Sequence, residues 1–186
     1  MKFSKPEIFD LLKAWILISI AFTILYSDIS KNYLWIFMIS LLTAGIGFLL
    51  HEIAHKIVAQ RYGLYAEFKS FDIMLAFAVL LSFFGFIIAA PGAVFIQGNV
   101  TKKKNGIISL VGPLTNIILA ILFFALFKLE ILTTLTKLGF VINSYLAMFN
   151  MIPFFMFDGK KVFDWNKVVF SIVFLISIAL VFLQYV

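Results

Sequence analysis

Ala44-Gly45-Ile46-Gly47-Phe48-Leu49-Leu50-His51-Glu52-Ile53-Ala54-His55-Lys56-Ile57-Val58-Ala59 closes an apolar run that begins at Tyr33. A helix of about 20 apolar residues crosses a hydrocarbon core, so residues 33–59 read as a membrane span. The same stretch holds His51 and His55, the only two histidines of the chain, on either side of Glu52. Residues four apart on a helix share one face about a turn apart. Two imidazoles so placed can hold one metal ion, with the glutamate beside it as general base. The alternative is a pair of interfacial histidines at a helix end. Against it stands the cost of burying three ionisable groups within one apolar turn, which is usually met only for function.

Composition sets the class. Of 186 residues, 63% are apolar and 13% charged, with 24 phenylalanines. Soluble domains run near 45–50% apolar and about 25% charged. The expected fold is therefore an all-α polytopic membrane protein, a single membrane-embedded domain over residues 1–186. There is no cysteine, which excludes disulfides and thiolate ligands. The net charge of +6 comes from lysines that sit between apolar runs. That pattern suits membrane topology and a lipid bilayer as partner, and no nucleic acid is expected.

Apolar runs cover residues 11–26, 33–59, 72–90, 106–127, 131–155 and 168–186, which predicts five to six transmembrane helices. The first run lacks a small-x-small cleavage pattern at Tyr26-Ser27-Asp28-Ile29 and is expected to be an uncleaved span. With a cytoplasmic N-terminus, twelve basic residues fall inside, and Lys31, Lys128 and Lys137 fall outside. This places a multi-pass protein in the cell membrane with its active site toward the cytoplasmic side. Residues 72–98 are flanked by basic residues at both ends and broken by Gly85 and Pro91-Gly92. They are expected to re-enter the membrane, or to form a tight hairpin with a strand at Ala93-Val94-Phe95-Ile96; a plain single span is the competing reading.

A catalytic zinc site needs a third protein ligand and an open position. Without further His or Cys, the third ligand is a carboxylate. Glu7, Asp10, Asp28 and Glu130 lie near membrane edges; Glu67 and Asp72 follow the motif; Asp158 and Asp164 follow the fifth run. Asp158 stands alone after ten residues whose only polar side chain is Asn150. Taken by itself, Asp158-Gly159 reads slightly better as an ordinary turn at a helix end than as a ligand.

The stretch from Asn150 through Pro153 to Asp158-Gly159 resembles the Asn-x-x-Pro-x-x-x-x-Asp-Gly signature of the site-2 protease family, the zinc metalloproteases that cut transmembrane substrates. Gly112-Pro113-Leu114-Thr115-Asn116 resembles the Gly-x-x-x-Asn element of that family, and the three motifs occur in the family's order over about residues 44–161. The compact, module-free chain is similar to prokaryotic and archaeal members. The resemblance implies one Zn2+ per chain held by His51, His55 and Asp158, with Glu52 as catalytic base and proton carrier. It implies that Asn150 positions the scissile peptide or its oxyanion, and that Asn116, Pro153 and Gly159 support the site. It further implies an intramembrane endopeptidase acting on transmembrane protein substrates in regulated intramembrane proteolysis.

Read from the residues alone, Asn116 and Asn150 also suit interhelical hydrogen bonding, and Pro153 a simple kink. Gly45 and Gly47 suit close approach of either a substrate or a neighbouring helix. Two departures stand out: Phe154-Phe155-Met156-Phe157 fills a place where relatives often carry prolines, and residues 72–90 exceed the usual linker. The alternative function is a catalytically inactive metal-binding membrane protein with a structural or regulatory role.

Overall fold

The computed structural model describes residues 2–87, 91–154 and 156–185, and these are mostly helical. Helix α1 (Lys5–Leu25) opens on a capping box, in which Ser4 accepts from the Glu7 amide and Glu7 reaches back to the Ser4 amide. Each satisfies an amide that the helix leaves unpaired. After a short 3₁₀ turn (Ser27–Ile29), helix α2 (Tyr33–Ser40) runs through a π-helical turn (Leu41–Gly45) into α3 (Ile46–Arg61). A π turn loosens the backbone ladder and often marks a functional segment. Here Trp15 of α1 donates to the Leu41 carbonyl at 3.1 Å, taking up a group within that turn.

Strand β1 (Tyr65–Ser70), helix α4 (Asp72–Ser82) and strand β2 (Gly92–Gln97) follow, the strands pairing antiparallel with Phe68 opposite Val94. Helices α5 (Lys102–Lys128), α6 (Thr133–Asn150), α7 (Asp158–Trp165) and α8 (Lys167–Leu183) complete the chain. Helix α5 is the hub and packs on α3, α6 and α7. One core joins α1, α2, α3 and the hairpin through Leu11, Ile18, Ile39, Phe48 and Phe68. A second joins α5 to α8 through Ile117, Met151, Val162, Phe170 and Val173.

Among the described residues, three helical stretches are long and apolar enough to cross a membrane: Lys5–Leu25, Tyr33–Arg61 and Lys102–Lys128. This corrects the count of five to six spans. The reason differs between helices: α4 and α8 are too short, and α6 is too polar. Helix α8 has 17 residues, about 26 Å at 1.5 Å per residue, against a core near 30 Å. Helix α4 has 11. Helix α6 carries Lys137, Asn143 and Asn150 and stops before Pro153. The basic run at Lys102 also belongs to the first turn of α5 rather than to a linker.

The strand expected at residues 93–96 is present within β2, but its partner β1 lies in what reads from sequence as a linker. The alternation of buried Ala66 and Phe68 with exposed Tyr65 and Lys69 is the signal for it, over only six residues. Helix α1 covers the outer edge of β1. The Phe68 amide donates to Glu7 Oε1 at 2.9 Å and the Ser70 amide to Asp10 Oδ2 at 3.2 Å. Glu7 also pairs with Lys56 of α3, and both are buried. Paired burial satisfies both charges where either alone would be strongly destabilising. Lys56 is thus no cytoplasmic surface charge but a tie between the motif helix, α1 and β1.

Candidate metal centre

Because His51, Glu52 and His55 sit on a regular turn of α3, their side chains share one buried face, toward α5. The imidazole rings stand edge to face with centroids 4.7 Å apart. Asp158 reaches them from the start of α7. Its Oδ2 lies 3.2 Å from His51 Nε2 and 3.0 Å from His55 Nε2. One ligand atom from each of the three residues falls within a 4.8 Å set. The break between α6 and α7 makes this possible: α6 ends at Asn150, Pro153 lies outside any helix, and α7 begins at Asp158. Gly159 packs against the Met151 carbonyl, with no room there for a side chain.

The other ring nitrogens fix the tautomers. His55 Nδ1 lies 2.6 Å from the Ile108 carbonyl, which only accepts, so Nδ1 carries the proton. Pro113 lies inside α5 and has no amide to donate to the Ser109 carbonyl. His51 Nδ1 lies 2.6 Å from Asn116 Oδ1. The Asn116 amide cannot be turned round, because its Nδ2 donates to the Gly47 carbonyl at 3.2 Å. His51 Nδ1 is therefore also the protonated nitrogen. Both Nε2 lone pairs face the Asp158 carboxylate.

Three donors with no proton between them call for a cation. The 3.0–3.2 Å spacings are close to the roughly 3.3 Å between two ligands of a tetrahedral zinc held at about 2.0–2.1 Å. The donor set fits zinc. The Asp158 carboxylate is buried and faces both imidazole Nε2 atoms. Asp158 Oδ1 also receives Lys161 Nζ at 3.5 Å.

Glu52 is buried next to His51 on α3, and the Val94 amide of β2 is directed at its carboxyl group. Strand geometry explains that direction. The Phe71 amide bonds the Pro91 carbonyl at 3.0 Å, so pairs two residues on, such as Lys69 with Ala93, exchange hydrogen bonds, and Val94 points its polar groups away from β1. One edge of the hairpin is closed by α1; the other looks toward Glu52.

Gly112 accounts for the glycine of the Gly-x-x-x-Asn element. A Cβ there would strike His51 Nε2 and His55 Nε2. Gly112→Ala is expected to weaken zinc binding about 100-fold, measured by competition with a chelator. Wild-type affinity in that variant would show that α5 does not press on the ligands as described.

The remaining sequence candidates separate. Asn116 touches a histidine; Asn150 is half-buried and donates to the Leu146 carbonyl of its own helix at 2.9 Å. Glu67 accepts from Ser4 at 2.6 Å and Tyr65 at 2.8 Å, bonds that lower it below its ordinary value and engage it away from the histidines. Gly47 lies against Asn143 of α6, so its smallness serves helix approach. Asn143 itself, fully buried, escaped the sequence reading. Its spacing of seven from Asn150 on one helix face is the signal that was there.

No protein-family model matches the chain, and no solved structure matches it significantly. A curated protein of Methanocaldococcus jannaschii, named “Putative zinc metalloprotease”, is 41% identical to it across 92% of this chain and 91% of the relative.

Proposed function

The chain belongs to the family of that archaeal zinc metalloprotease, and from this premise we propose that it is a membrane-embedded zinc endopeptidase of the site-2 protease type. Its substrates are transmembrane proteins, cut in or near their membrane segments. The observation that carries this reading is the convergence of His51 Nε2, His55 Nε2 and Asp158 Oδ2 beside a buried Glu52, on a helical stretch apolar enough to span.

His51, His55 and Asp158 would hold a zinc ion, which when bound would supply Lewis acidity to acidify water toward a pKa of about 7 and to polarise the peptide carbonyl. Glu52 takes a proton from the attacking water and delivers it to the leaving amine. Burial of Glu52 excludes bulk water from that transfer. Asn116 and the Ile108 carbonyl hold the imidazoles with Nε2 turned inward. Asn150, near the end of α6, contributes a polar group for the substrate peptide or its developing oxyanion.

A substrate helix hides its amides in its own hydrogen bonds, so cleavage requires local unwinding. The free edge of β2 supports a place for the unwound segment. Gly92, Val94 and Ile96 offer the polar backbone groups not used by β1, and an extended peptide can join such an edge. The clustering of basic residues at the hairpin end of α3 and α5 supports a cytoplasmic location for this site in the cell membrane.

The test is a purified, reconstituted chain with a co-reconstituted single-span substrate. Expected are about one zinc per chain by elemental analysis, cleavage, loss of cleavage on metal chelation and recovery on adding zinc back. A zinc-loaded chain that cleaves none of a panel of single-span substrates, in several lipids, would overturn the proteolytic reading. A chain without metal would overturn the site as well.

A further inference from the structure

We propose that Asn143 is a positioning residue for the metal centre, acting on His51 through Asn116 from a third helix. This rests on the metal reading of His51, His55 and Asp158. Asn143 is fully buried on α6, and its side chain bonds Asn116 and the Gly139 carbonyl rather than a histidine.

The chain of contacts runs one way. Asn143 Nδ2 donates to the Gly139 carbonyl at 2.9 Å. A carbonyl can only accept, so this bond fixes which end of the Asn143 amide is oxygen. Asn143 Oδ1 then accepts from Asn116 Nδ2 at 3.0 Å. Asn116 Nδ2 has two hydrogens, and the Gly47 carbonyl takes the other at 3.2 Å. With both donors engaged, Asn116 Oδ1 is committed to His51 Nδ1 at 2.6 Å. The result holds the ring with its proton on Nδ1 and its lone pair on Nε2, facing Asp158.

Gly47 belongs to the same device. A Cβ at Gly47 would strike the Asn143 oxygen, so the bare backbone one turn before His51 lets α6 approach α3 closely. His55 has no equivalent relay, since a backbone carbonyl orients it directly. The two ligands therefore differ: disturbing Asn143 loosens His51 and leaves His55 in place.

The experiment compares wild type with Asn143→Leu and Asn143→Asp. Leu keeps the volume and removes both polar functions. Asp keeps an acceptor for Asn116. Zinc affinity is read by chelator competition, and the imidazole nitrogens by NMR of ¹⁵N-histidine-labelled protein, in which two histidines give two ring systems. The Leu variant is expected to bind zinc about 10- to 100-fold more weakly, with only the His51 ring signals shifted. The Asp variant is expected to stay within a few-fold of wild type.

Zinc uptake by wild type together with unchanged affinity and unchanged ring signals in the Leu variant would overturn the relay alone. Equal shifts at both rings would overturn it too, since a general loss of packing would do that. Should the Leu variant fail to fold, Asn143→Ala, which leaves space for water, carries the same expectations. Wild type that takes up no zinc overturns the metal reading, and the relay with it.

Discussion

Glu52→Gln is expected to lower peptide hydrolysis by about 100- to 10,000-fold while zinc content stays near one per chain. The substitution removes the proton acceptor and keeps the volume of a buried side chain. The ligand atoms themselves, on His51, His55 and Asp158, are unchanged. The result separates the enzymatic reading from a metal-binding protein with a structural or regulatory role, because neither of those needs a base at this place. A Gln variant that cleaves at more than a tenth of the wild-type rate would remove Glu52 from the chemistry. The inactive variant also provides a trapped complex. If an unwound substrate joins the free edge of β2, a photocrosslinker at half-exposed Phe95 reacts with the substrate close to its scissile bond. Crosslinks from Phe95 that miss a substrate captured elsewhere would rule that strand addition out.

Asp158→Ala is expected to take zinc from about one per chain to well under half, measured by elemental analysis after purification in detergent. The variant leaves two imidazole donors from one helix and opens the side of the site that α7 closes. Zinc held by three protein ligands does not tolerate the loss of one without a large fall in affinity. The effect should be specific to the metal. Asp158 is not part of either hydrophobic core, so helical content is expected to persist. Full zinc retention in this variant would transfer the third-ligand role to another carboxylate. Among the described residues, Glu67 is already engaged by Ser4 and Tyr65 on the hairpin, and no other acid joins the histidine cluster.

Much of the site can be read without coordinates. The histidine pair and its glutamate follow from helical spacing, since neighbours on one face need only a local rule. Asp158 stands out because so few acids interrupt the apolar runs, and Pro153 marks where α6 must stop. The spans are less legible. A window of apolar residues does not distinguish a 27-residue α5 from a 17-residue α8, because helix ends are set by caps and breaks rather than by mean hydropathy. The pairing of β1 with β2 joins segments more than twenty residues apart, and six residues of alternation around Ala66 and Phe68 are a weak signal beside the apolar runs around them.

The sequence by itself determines the apolar runs suited to a membrane, the helix that carries both histidines and Glu52, and the metal-suited chemistry of those side chains, since these depend on residue type and on spacing within one element. Only the tertiary structure decides how the pieces meet. It brings Asp158 Oδ2 to within 3.2 Å of His51 and 3.0 Å of His55 from more than a hundred residues away. It sets Gly112 against the ligand nitrogens, turns the Val94 edge toward Glu52, and buries Lys56 on Glu7. Such relations depend on the packing of helices remote in sequence, where a missing Cβ or a single amide orientation decides whether a site closes.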